Sequence, residues 1–125
     1  MNLDSGQKRV LVAEDEEINL VIATHILNRA GYQVVSVDNG EAAIEAIRSE
    51  KFDLVLMDIE MPIMDGLEAI PHIRDLPNGS TIPIVALTAH SLPEKLQQIQ
   101  EVGGNDYLLK PFDEDKLQQI IDRYL

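Results

Sequence analysis

Four of the five short apolar runs in this chain end in residues able to carry chemistry. Arg9 to Ala13 (RVLVA) is followed by the acidic pair Glu14 and Asp15, and Phe52 to Met57 (FDLVLM) by Asp58. Ile82 to Leu87 (IPIVAL) is followed by Thr88, and Asp106 to Leu109 (DYLL) by Lys110 and Pro111. Gln33 to Val37 (QVVSV) adds no such group. If the runs are parallel strands, their carboxyl ends lie together on the side where open α/β sheets bind ligands. Three carboxylates, one hydroxyl and one ammonium would then share a shallow pocket. Like charges in a partly desolvated site raise one another's pKa, and a divalent cation relieves that conflict. All-oxygen ligands without cysteine or histidine favour Mg²⁺, with Mn²⁺ or Ca²⁺ as poorer substitutes. Such a site suits a carboxylate nucleophile that forms an aspartyl-phosphate, with a lysine and a metal neutralising the transferred oxygens.

Taken singly, each residue has a bland reading. A Lys-Pro after a strand is a turn, a terminal Thr is a cap, and an acidic pair before a helix complements its dipole. Their occurrence at successive strand ends favours the joint reading.

The elements that must hold these groups alternate along the chain. Ile18, Val21, Ile22 and Ile26 recur at helical spacing, as do Ala43, Ile44 and Ile47, and Leu117, Ile120, Ile121 and Tyr124. Gly31, Gly40, Gly66 and Gly103-Gly104 punctuate the joins, and Pro93 suits a first helical turn. Strands alternating with helices predict a doubly wound five-stranded parallel α/β sheet with helices on both faces, in the flavodoxin-like order 2-1-3-4-5. Gln33 to Val37, with Ser36, reads as an edge strand. Pro71 falls inside the expected third helix, Leu67 to Arg74, and predicts a late start or a bend. The fourth helix, Glu94 to Glu101, has few apolar anchors.

The length of 125 residues suits one domain, with residues 1–8 as a short flexible arm and 9–125 as the folded unit. No apolar run approaches the roughly 20 residues of a membrane span, and no signal-peptide pattern opens the chain. The chain has no cysteine, which suits a reducing cytoplasm. The formal net charge of −12 argues against direct nucleic-acid or anionic-membrane binding.

Four segments, VLVAEDE (Val10–Glu16), DLVLMDIEMPIMDG (Asp53–Gly66), PIVALTA (Pro83–Ala89) and GGNDYLLKPF (Gly103–Phe112), resemble the response-regulator receiver domains of two-component phosphorelay signalling. The resemblance runs from Arg9 to the C-terminus. It implies that Asp58 is the phosphoacceptor. Asp15, Asp58 and the backbone carbonyl of Glu60 would ligate Mg²⁺, with Glu14 acting through water. Thr88, Ala89 and Lys110 would bind the phosphoryl group, and Thr88 and Tyr107 would form the switch. The implied partners are a histidine kinase or a histidine phosphotransfer protein, and a homodimer through the fourth helix, fifth strand and fifth helix is compatible with it. Glu14 stands where the family more often has aspartate, and Glu60 and His90 occupy positions that tune phosphoryl lifetime. Ile18–Asn19 and MDIEMPIMDG look like receivers of hybrid sensor kinases, and a free-standing regulator is the other origin. A pseudo-receiver acting without phosphorylation is the alternative function. A haloacid-dehalogenase-type phosphatase would need DxD where Asp58-Ile59-Glu60 stands. A flavodoxin would need a Ser/Thr/Gly-rich loop where Glu14 to Glu17 is acidic.

Overall fold

The computed structural model describes residues 7–125; most of the arm expected at residues 1–8 lies outside the described residues. Five strands, β1 (Arg9–Ala13), β2 (Gln33–Val37), β3 (Leu54–Asp58), β4 (Ile84–Thr88) and β5 (Asp106–Leu109), alternate with five helices. The helices are α1 (Glu17–Arg29), α2 (Gly40–Ser49), α3 (Gly66–Arg74), α4 (Pro93–Val102) and α5 (Glu114–Tyr124). All strand pairs are parallel, in the order β2-β1-β3-β4-β5.

The two-residue period of a strand sends alternate side chains to opposite faces. Val10, Val12, Leu54, Leu56, Val85 and Leu87 pack with α1 and α5 through Ala23, Leu27, Leu117 and Ile121. Leu11, Ala13, Val55, Met57 and Ile84 pack with α2 and α3 through Ile47, Ile70 and Ile73. The central strands β3 and β4 are buried throughout, whereas β2 is half exposed, as its sequence predicts.

β3 and β4 each begin two residues later than their apolar runs and extend one residue further. Pro83 has no N–H for a ladder, so β4 pairs regularly only from Ile84. The extension makes Asp58 and Thr88 the last residues of their strands rather than the first beyond them.

Two helices depart from expectation. In α1 the buried residues are Ala23, Ile26 and Leu27, while Ile18, Val21 and Ile22 are exposed, Ile18 by 76%. The spacing located a helical stripe, but the sheet packs against a different one, shared only at Ile26. α3 starts on time at Gly66, where Asp65 accepts the N–H of Glu68 and caps the first turn. Pro71 lies within α3 on its exposed side, where water can replace the missing donor.

α4 is held unevenly. Ile99 is its one buried residue, and its N-cap, Leu92, makes no side-chain capping bond. At its other end Gly103 adopts φ 114°, a conformation costly for other residues. Arg74 fixes that end, donating to the carbonyl oxygen of Gly103 at 2.7 and 3.0 Å. The same guanidinium reaches the carbonyl oxygens of Gly79 and Ile82 and the Asn105 side chain, tying α3 to the entrances of β4 and β5.

Candidate phosphoryl-acceptor site

The strand order brings the ends of β1, β3, β4 and β5 side by side, and with them Glu14, Asp58, Thr88 and Lys110. Glu14 and Asp58 are 1% exposed and Thr88 is fully buried. Asp58 Oδ1 accepts the backbone N–H of Glu60 at 2.9 Å, and Oδ2 accepts Lys110 Nζ at 2.8 Å. Gly66 permits this placement, because a Cβ there would lie 2.4 Å from the Asp58 carbonyl oxygen.

Lys110 is the electrostatic centre of the site. Its Nζ also lies 3.0 Å from Glu14 Oε1 and 3.3 Å from Glu16 Oε1. Burial pushes the Lys110 pKa down, but hydrogen bonds to Asp58 and Glu14 outweigh it and leave the ammonium above its ordinary range. Burial raises the Glu14 carboxyl to about 7, and the neighbouring Asp58 adds to the effect. Glu14 Oε2 accepts the Glu16 N–H at 3.2 Å. Glu14 Oε1 is buried without a hydrogen bond, its contact with Lys110 being one of charge.

Oxygens of Glu14, Glu16 and Asp58 lie within 4.8 Å of one another, close enough to share a metal ion. A buried carboxylate oxygen lacking a hydrogen bond, in an all-oxygen donor set, fits a hard divalent cation. Lys110 touches the same three carboxylates, so its ammonium already serves as their counter-charge.

Asp15, expected as the direct metal ligand, is exposed and stands outside that trio. It is still coupled to the site: burial raises its pKa, and the charge of Asp58 raises it further. Glu16 was not singled out from the sequence, although a third acidic residue directly after the pair was the available signal. Thr88 Oγ1 accepts the backbone N–H of His90 at 3.0 Å. Ala89 and Glu60 are exposed at the mouth, where His90 Nε2 lies 3.4 Å from Glu60 Oε1. Tyr107 is 40% exposed on β5. Met57 is buried, and Met61 and Met64 pack against the α2–α3 face.

A family model described as the response regulator receiver domain matches residues 10–122, and the chain belongs to that family. It is 43% identical over 122 residues to the sensor protein GacS of Pseudomonas syringae pv. syringae, covering 95% of this chain and 14% of that protein. It is 42% identical to the two-component response regulator ORR41 of Oryza sativa subsp. japonica, covering 93% of both chains. Among solved structures, the receiver domain of sensor histidine kinase PA1611 from Pseudomonas aeruginosa PAO1 superposes with a TM-score of 0.88 at 35% identity, covering 95% of this chain and 98% of that one. That structure carries a magnesium ion in its active-site cleft. Chemotaxis response regulator CheY4 of Vibrio cholerae superposes with a TM-score of 0.90 at 31% identity, covering 95% and 99%. This chain is therefore a two-component receiver, a signalling module rather than a classical enzyme. Among the described residues no helix is long and apolar enough to cross a membrane.

Proposed function

We propose that this receiver is a phosphorylation-dependent switch that takes a phosphoryl group onto Asp58 from the phosphohistidine of a histidine kinase or phosphotransfer protein in the cytoplasm. A carboxylate oxygen of Asp58 forms the new bond to phosphorus as the bond to the histidine nitrogen breaks, its electron pair staying with the imidazole. The observation that carries this reading is the ammonium of Lys110, 2.8 Å from the buried Asp58 carboxylate and ready to pair with a transferred oxygen. Mg²⁺ or Mn²⁺ would be held by Asp15, Asp58, the Glu60 carbonyl and, through water, Glu14, and would supply further positive charge toward the phosphoryl oxygens.

The exposed stripe Ile18, Val21 and Ile22 begins two residues after Glu16 and offers an apolar seat for the donor protein. On the other flank, Thr88 ends β4 and Lys110 directly follows β5, the strands beside α4. Pull on both by a new dianion at Asp58 would alter the α4-β5-α5 surface, where an open groove of about 690 Å³ is lined by Leu96, Ile99, Gln100 and Tyr107. The pseudo-receiver alternative has less support, since none of the expected site residues is missing.

Incubation with acetyl phosphate and Mg²⁺ should add one acid-labile phosphoryl group by intact-mass spectrometry, and Asp58→Asn should prevent it. Equal labelling of the two proteins would remove Asp58 from its role.

A further inference from the structure

Lys110 has three N–H donors to offer, and three carboxylates surround it. Asp58 accepts from it at 2.8 Å, and Glu14 Oε2 and Glu16 Oε1 each accept at 3.3 Å. If Asp58 is phosphorylated as proposed above, a phosphoryl oxygen that pairs with Lys110 must take the place of one of these acceptors. The three are not equivalent. Asp58 and Glu14 are fixed in the buried end of the sheet, with side-chain exposures of 2% and 0%. Glu16 differs from both in its exposure, its side chain being 64% exposed.

Glu16 also occupies the N-cap position of α1 without capping it. A side-chain oxygen there usually accepts an N–H of the first turn. Instead Oε1 faces Lys110, and the Asn19 side chain donates to it at 3.2 Å.

We propose that Glu16 is the exchangeable partner of Lys110, holding a donor in the resting protein that a phosphoryl oxygen takes after transfer. Glu16 is thus a positioning residue that acts through Lys110. An exposed pair at this distance adds little to stability. Its consequence is a threshold against phosphoryl-like anions, which must displace a carboxylate and approach its charge. Asn19 leaves the released carboxylate with a partner.

The test is beryllofluoride affinity at saturating Mg²⁺, combined with the ¹⁵Nζ resonance of Lys110. Glu17→Gln is the control, because Glu17 is the exposed next residue and its loss removes the same charge away from Lys110. Glu16→Gln should tighten beryllofluoride binding about two- to fivefold, and Glu17→Gln clearly less. Before beryllofluoride is added, the Lys110 resonance should move in Glu16→Gln, move further in Glu16→Ala, and stay in place in Glu17→Gln. Equal tightening in the two glutamine variants, or an unmoved Lys110 resonance, would overturn the proposal. A wild type that binds beryllofluoride while Glu16→Gln changes nothing sinks this inference alone. A wild type that binds none sinks the phosphorylation reading with it.

Discussion

Two partly buried cations stand at opposite ends of the sheet. Arg74 lies where β4 and β5 begin and gives its hydrogen bonds to neutral oxygens: the carbonyls of Gly79, Ile82 and Gly103 and the amide of Asn105. Lys110 lies where β5 ends and meets only carboxylates. Neutral acceptors bring no charge that a ligand could replace, so Arg74 acts as a staple. Carboxylates can exchange an ammonium for a metal ion, a proton or a rearranged set of partners, so Lys110 marks a site. Burial of a cation alone does not indicate function; the charge of its acceptors does.

The sharpest test of this contrast is removal of each cation. Arg74→Ala leaves several carbonyl oxygens without a donor and should lower stability by about 3 kcal/mol in urea denaturation. Mg²⁺ should not reverse that loss. Lys110→Ala leaves buried carboxylates facing one another and should lower stability by about 2 kcal/mol at pH 8 in chelator, less than a rigid pair would lose because the carboxyls can protonate. Millimolar Mg²⁺ should restore much of it by mass action on the native state. If the two variants respond to Mg²⁺ alike, the distinction between staple and site fails.

The next effect concerns Glu14. Its folded pKa, raised to about 7 from 4.5, means that the native state binds this proton more tightly than the unfolded chain does. The associated stability is fully present below pH 4.5 and is lost as pH rises through 7. In chelator, wild type should therefore lose stability relative to Glu14→Gln as pH rises across that window. Parallel stability–pH curves for the two proteins would show that Glu14 does not hold its proton.

The strands were legible because both faces of the sheet are covered, which makes Val10–Ala13 and Leu54–Met57 continuous apolar runs with polar residues at their ends. Strand order followed from the parallel connections. α1 was misread because periodicity identifies an apolar stripe without saying what faces it: Ile18, Val21 and Ile22 point to solvent, while the smaller Ala23 meets the sheet. Asp58, Thr88 and Lys110 could be found because strand ends select them. Glu16 had only its place after the acidic pair to mark it, since its link to Lys110 spans 94 residues and depends on a side-chain direction at the start of a helix. Arg74 escaped notice for a similar reason, its acceptors other than Asn105 being backbone oxygens that carry no sequence signal.

The uneven fastening of α4 gives it a direction of opening. Its last turn is gripped through Gly103 by Arg74, whereas its first turn lacks a side-chain cap and follows the exposed Leu92. Only residues 89–92 separate that loose end from Thr88, the final residue of β4. Opening of α4 would therefore begin at Pro93 and leave the gripped turn at Val102 in place, freeing first the end that lies beside the strand that closes the site.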